Sequence, residues 1–137
     1  MKKQLASILI TNFNKDKYLN DTIQSCLVQN YKKKEILIFD DKSTDNSLKI
    51  LKKYRKIKVY KNKKKKFASS PLNQINGIKK LFKKSKGEVI FLLDSDDFFK
   101  KNKIKNIMNL YSKDKNLNFI QDVPYSAKDK RTIKLKY

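Results

Sequence analysis

The chain has 137 residues, of which 35 are Lys or Arg and 13 are Asp or Glu, giving a formal net charge of +22, with no His, one Cys, no Trp and only two Gly and two Pro. That length suits one domain with one core and excludes a multidomain enzyme. Without His there is no Ser-His-Asp or Cys-His nucleophile system, and a lone Cys completes neither a Cys/His zinc site nor an internal disulfide, so chemistry is left to carboxylates, Lys, Tyr, hydroxyls or a bound metal.

Met1-Lys2-Lys3 ahead of Leu5 to Ile10 has the look of a signal peptide, but the apolar stretch is short and runs into Thr11-Asn12 with no small-residue cleavage site. Ala6 to Ile10 reads instead as a strand buried on both faces. Leu19, Ile23, Cys26 and Leu27 then place one apolar stripe on a helix of residues 17 to 29, with Cys26 in the core. Glu35 to Phe39 is a second buried strand. It is followed by the polar turn Asp40-Asp41-Lys42-Ser43-Thr44-Asp45, in which Asp45 or Thr44 caps a helix carrying Leu48, Leu51 and Tyr54. Ile57 and Val59 alternate with Lys58 as a half-exposed strand, and Lys63 to Lys66 form a charged loop.

Ser70-Pro71 is a helix start, with Ser70 as cap and Leu72, Ile75, Ile78 and Phe82 as the inward stripe. Gly87 precedes Glu88 to Leu93, the strongest strand pattern; its core Val89 to Leu93 is the longest clean apolar run, far below the roughly 20 residues of a membrane span. After Asp94-Ser95-Asp96-Asp97 comes a helix with Ile104, Ile107, Met108 and Tyr111, then a short strand around Leu117 to Ile120. Thr132 to Tyr137 alternates as an edge strand would, the other reading being a frayed end. Strands separated by helices of this length mean an α/β domain with a mainly parallel sheet flanked by helices.

The basic residues are 33 Lys against two Arg, and Lys, Asn and Ile together make up 60 of the 137 residues, all with A/T-rich codons. Arg, favoured for bidentate phosphate and base recognition, is nearly absent, so the charge reads as codon bias and no specific nucleic-acid partner is expected. In such a chain the acids carry the information. Six of the 13 fall into two clusters, Asp40/Asp41/Asp45 and Asp94/Asp96/Asp97, each directly after an expected central strand. Ligands of open α/β sheets bind outside the carboxyl ends of the strands, so both clusters should border one crevice. Asp94-Ser95-Asp96 can present two hard oxygen ligands from a turn, which suits Mg²⁺ or Mn²⁺ shared with a diphosphate. The bland readings are that Asp94 to Asp97 cap the next helix, that Asp40-Asp41 is a solvated turn, that Phe13 is core, and that Lys63 to Lys66 is a solvated loop rather than a phosphate clamp.

Three stretches, SILITNFNKDKYLNDTIQSCLVQNY at 7 to 31, EILIFDDKSTDNSLKIL at 35 to 51 and KGEVIFLLDSDDFF at 86 to 99, together resemble the family-2 glycosyltransferases of GT-A (Rossmann-like) fold. The resemblance implies transfer of a sugar from a nucleotide-diphosphate donor, most often UDP-linked, to the hydroxyl of a saccharide or lipid-linked acceptor in surface polysaccharide or glycolipid synthesis. Carried over by position, Thr11 and Phe13 would flank the nucleobase, Asp41 would hydrogen-bond it with Asp40 nearby, and Asp94 would face the ribose or metal. Asp96 would ligate Mg²⁺ or Mn²⁺, with Asp97 supporting that site from behind. It places the protein in the cytoplasm, at the inner face of a membrane whose anionic lipids the Lys-rich surface would suit.

The chain departs from the family pattern in three places. Thr11-Asn12 stands where Pro-Thr is usual, Lys42 replaces a common Gly, and Asn73-Gln74-Ile75-Asn76-Gly77 replaces an Ala-Arg-Asn-x-Gly pattern, so Gln74 supplies no phosphate-binding charge. The expected organisation is a nucleotide-sugar-binding domain over 1–122 and a tail over 123–137, the GT-A fold being cut short after its metal-motif half. The catalytic base would then lie beyond the chain end, Asp122 being a poor substitute. A second reading is a catalytically incomplete binding module that works with a partner chain supplying the acceptor half, and a third, less favoured, is a basic nucleic-acid-binding protein. An Asp-x-Asp phosphatase of the haloacid dehalogenase type is disfavoured, because that motif opens the first strand of its domain.

Overall fold

The structure, a computed structural model, describes residues 4–64, 67–114 and 116–121. Strands and helices alternate as β1 (Ala6–Asn12), α1 (Asp16–Leu27), β2 (Lys34–Asp40), α2 (Ser47–Lys52), β3 (Lys58–Lys61), α3 (Ser70–Phe82), β4 (Val89–Asp94) and α4 (Lys103–Lys113). The four strands form one parallel sheet in the order β3-β2-β1-β4. The chain steps outward from β1 to β2 to β3, then returns through α3 to place β4 on the other side of β1. The order therefore reverses at β1, where open α/β sheets bind their ligands.

Successive side chains of a strand alternate between faces, so the continuous apolar runs fill two layers. Ala6, Ile8 and Ile10 of β1, Ile36 and Ile38 of β2 and Phe91 and Leu93 of β4 pack with Leu19, Ile23 and Cys26 of α1, Leu51 of α2 and Ile104 and Met108 of α4. On the opposite face Leu9, Leu37 and Phe39 meet Leu81 of α3. Cys26 is the core residue its position in the apolar stripe suggests. Burial pushes its thiol up to about 12, so it stays protonated and inert. No helix among the described residues is long and apolar enough to cross a membrane.

Four details of the sequence reading are corrected. The inward residues of α3 are Asn73, Gly77 and Leu81, while Leu72, Ile75 and Phe82 are exposed. The cause is Gly77, which lets α3 lie directly on the sheet: a Cβ there would stand 2.7 Å from Phe39 Cδ1 and 3.2 Å from Thr11 Cγ2. The helix follows its smallest residue, not its apolar stripe. Its N-cap is Ser69, with Pro71 in the first turn as expected. The run Leu117 to Ile120 is not a strand; it pairs with neither sheet edge, and Phe119 is 80% exposed. The helix α2 also stops at Lys52, before Tyr54. Residues 122–137, with the expected tail and Asp122, lie outside the described residues, as do Lys65 and Lys66.

Candidate functional site

The parallel register sets Thr11 against Asp94 on one side of β1 and Asn12 against Asp40 on the other. Both acid clusters therefore meet at the carboxyl end of β1, two strand spacings or roughly 10 Å apart. A crevice opens there, on the α3 side of the sheet. It is lined by Thr11, Phe13, Asp41, Asp94 and Asp96 of the expected residues, together with Asn12, Lys15, Phe39, Ser70, Asn73, Gln74 and Ser95. Phe13 is 37% exposed at this rim and not core.

Asp40 does not line the crevice. Strand alternation sends it to the face opposite Phe39, where it is 1% exposed and accepts hydrogen bonds from Asn12 Nδ2 at 2.8 Å and Ser43 N at 2.9 Å. Asp40-Asp41, read as a pair in sequence, is thus divided between fold and crevice. Asp41 is 8% exposed, so neither belongs to a solvated turn; its Oδ1 accepts from Asn62 Nδ2 at 2.6 Å and its N–H donates to Asn12 O at 2.9 Å. Ser43 Oγ accepts from Asn12 Nδ2 at 3.1 Å and Asn14 N at 3.0 Å, tying the β1 and β2 loops together. Asn12 Oδ1 is buried without a hydrogen-bond partner among the described residues. Asp45 accepts from Asp16 N and Ser47 N, both at 2.9 Å, so it does serve the start of α2, from one residue before the Asn46 N-cap. Burial pushes its carboxyl up, but the nearby Ser47 hydroxyl and the hydrogen bonds from the Ser47 and Asp16 N–H groups outweigh this and hold it below its ordinary range. Two residues of these loops take left-handed backbone, Asn14 at φ 52° and Lys42 at φ 62°. Asn adopts that region readily, whereas Lys does so at a cost of about 1 kcal/mol.

The β4 cluster is held differently. Thr22 Oγ1 of α1 donates to the Ser95 carbonyl at 2.9 Å and anchors the turn, leaving the flanking Asp94 and Asp96 toward the crevice. Gln74 Nε2 donates to Asp94 Oδ1 at 2.6 Å, and Lys15 Nζ lies 2.6 Å from Asp96 Oδ2. The hydrogen bond and charge of Asp96 hold the Lys15 ammonium above its usual range. Asp97 sits behind them, its N–H on the Asp94 carbonyl at 3.1 Å. Burial, with Asp96 and Asp94 adding repulsion, raises its carboxyl above the ordinary value. These acids do not cap α4, whose N-cap is Asn102 and whose Ile104 N–H donates to Gln29 Oε1 at 3.1 Å. The helix-capping alternative is therefore set aside.

Among the described residues no three carboxylates converge into a group that could hold a metal by themselves. The donor set nevertheless fits a hard divalent cation that keeps most of its ligands from water and phosphate: Asp94 and Asp96 are oxygen donors two residues apart, and Asp96 already accepts a hydrogen bond from the Lys15 ammonium. Sequence reasoning missed Lys15, Ser43 and the side-chain role of Asn12, whose backbone alone it had offered to the base. Lys15 was hidden among 33 Lys, and no spacing rule connects it to Asp96 across 81 positions. Lys63 and Lys64 are exposed and do not line the crevice.

The sequence profile of Glycosyl transferase family 2 matches residues 7–137. The poly(ribitol-phosphate) beta-N-acetylglucosaminyltransferase TarP of Staphylococcus aureus is 35% identical over 124 residues, covering 88% of this chain and 36% of TarP. WfaP of Escherichia coli, a UDP-Glc:alpha-D-GlcNAc-diphosphoundecaprenol beta-1,3-glucosyltransferase, is 34% identical over 114 residues, covering 82% of this chain and 43% of WfaP. The crystal structure of S. aureus TarS 1-349 in complex with UDP-GlcNAc superposes with a TM-score of 0.67 at 25% identity, covering 79% of this chain and 31% of that one. The chain thus spans less than half the length of these relatives.

Proposed function

The chain belongs to glycosyl transferase family 2, and from that premise we propose that it is the donor-binding part of an enzyme that transfers a sugar from a UDP-linked donor to an acceptor hydroxyl. The observation that carries this reading is the convergence of Thr11, Phe13, Asp41, Asp94 and Asp96 on one crevice at the point where strand order reverses. Phe13 and Thr11 hold the nucleobase between them, and Asp41, able only to accept, takes a base N–H; Asn62 fixes its orientation from behind. Asp94 reads the ribose or shares the cation with Asp96, and Asp97 supports the turn. Asp40 acts at one remove, holding Asn12 and Ser43 so that the β1 loop keeps its shape.

Asp96 and Asp94 would hold a Mg²⁺ or Mn²⁺ ion, which when bound would neutralise charge on the departing diphosphate. This chain's own residues bind and orient the donor; no described residue is assigned as the base that deprotonates the acceptor. The names of TarP and WfaP support an acceptor of the surface-polymer or lipid-linked class. Such acceptors support a reaction at the cytoplasmic face of a membrane, where the many lysines would favour contact with anionic lipid.

The test is calorimetric titration with UDP and UDP-GlcNAc, with and without Mn²⁺. Binding that needs Mn²⁺ and is lost in Asp96→Asn is expected. Absence of binding with Mn²⁺ present, or binding indifferent to Asp96→Asn, overturns the assignment.

A further inference from the structure

The crevice inverts the charge of the chain around it. Among the described residues its ionisable lining consists of three aspartates, Asp41, Asp94 and Asp96, and a single cation, Lys15, within a chain of formal charge +22. The backbone of Lys15 is fixed: its carbonyl accepts from Tyr18 N at 3.0 Å and Leu19 N at 2.9 Å where α1 begins. Asn14, before it, is locked by its N–H to Ser43 Oγ at 3.0 Å and by Thr44 N to its Oδ1 at 2.8 Å. The ammonium, by contrast, rides on a flexible stem. Its ion pair with Asp96 joins side chains that are 42% and 38% exposed, and a pair so open to water stabilises little and yields to a better partner. A diphosphate, with several acceptor oxygens and more than one negative charge, is that better partner. Gln74, the polar neighbour of Asp94, carries no charge to compete for the role.

We propose that Lys15 is the phosphate-binding cation of this crevice, resting on Asp96 until a nucleoside diphosphate arrives. This rests on the nucleotide-sugar reading above and extends it. A divalent cation and the Lys15 ammonium compete for the same carboxylate. A diphosphate that draws Lys15 away vacates Asp96 for the metal, so metal and diphosphate bind each other's complexes more tightly than they bind the free protein, and by linkage the enhancement is equal in both directions.

The experiment compares the unaltered chain with Lys15→Met and Lys15→Arg in three titrations: UDP in the presence of Mn²⁺ by calorimetry, uridine by NMR, and Mn²⁺ alone by electron paramagnetic resonance. Lys15→Met should weaken UDP by about five- to tenfold, the loss of one charge-assisted contact to phosphate. It should leave uridine, which has no phosphate, unchanged. The same variant should tighten Mn²⁺ alone by roughly two- to threefold, because only an exposed ion pair has to be displaced. Lys15→Arg should recover most of the UDP affinity. An unchanged UDP affinity in Lys15→Met, with uridine still bound, overturns the role of Lys15 and leaves the donor site standing. An equal loss for UDP and uridine also overturns it, because that pattern marks a change of crevice shape. If the unaltered chain binds neither UDP nor uridine, the donor site itself falls, and Lys15's role with it.

Discussion

The aspartates after β2 and those after β4 come in equal number and flank the same strand, yet the protein treats them in opposite ways. Asp40, Asp41 and Asp45 accept hydrogen bonds from Asn12, Ser43, Asn62, Asp16 and Ser47, drawn from several loops and from the start of α2. Asp94 and Asp96 meet one neutral amide and one flexible ammonium, with Asp97 repelled behind them. Carboxylates whose lone pairs are taken up by the protein's own donors become part of the fold. Those left with exchangeable or absent partners are available to a ligand. Acidic composition after a strand does not separate the two cases; the supply of nearby donors does.

Stability measurements can break this comparison directly. Asp40→Ala leaves the Ser43 N–H and part of the Asn12 amide unpaired in a dry site, and should lower unfolding free energy by about 2–3 kcal/mol in urea titrations. Asp96→Ala, on the crevice, should stay within about 0.5 kcal/mol of the parent while abolishing Mn²⁺-dependent UDP binding. Equal costs at the two positions would erase the distinction. Next in size, Thr22→Val removes the hydroxyl that anchors Ser95 and should cost about 1 kcal/mol. Amide hydrogen exchange should then quicken in the 94–97 turn while the 40–45 turn is unaffected. Lys42→Gly relieves left-handed backbone on an exposed residue and should raise stability by about 0.5 kcal/mol, part of the gain being returned to the freer unfolded chain.

The smallest effects separate the clusters by pH. The Asp45 carboxyl is held low in the fold, so its contribution is present above its unfolded value and fades as pH falls through the folded one. Asp45→Asn should therefore destabilise near neutrality and lose its effect in acid. Asp97 is held high, which penalises the ionised form as pH rises through its folded value. Asp97→Asn should stabilise near neutrality, and this gain should vanish once pH drops below the unfolded value of about 3.9. Thermal melts of both variants between pH 3 and 7, roughly the range spanned by ordinary carboxyl and neutral values, should bend in opposite directions. Parallel profiles would contradict the contrast between the two clusters.

Much of this was legible in the sequence because burial on both faces of a parallel sheet writes itself as short apolar runs such as Ala6 to Ile10 and Val89 to Leu93. The clustering of acids after two such runs then located the crevice. What the pattern could not convey was parity and reach. Whether Asp40 or Asp41 faces the crevice depends on the strand register beside Asn12, which local spacing does not contain. The inward face of α3 depends on Gly77 meeting Phe39, a contact between residues 38 positions apart, so the apolar residues Leu72, Ile75 and Phe82 pointed the wrong way. Lys15 was one lysine among many until Asp96 was seen beside it.

The sealed thiol of Cys26 also makes the chain a convenient optical instrument. It is the sole sulfhydryl in the sequence, fully buried and protonated at neutral pH, so a maleimide dye finds nothing to react with in the folded protein. A cysteine introduced at Ser70, exposed on the crevice rim, would become the one labelling position. A fluorophore there would report the arrival of a nucleotide or a metal in real time, without a second mutation to silence the background.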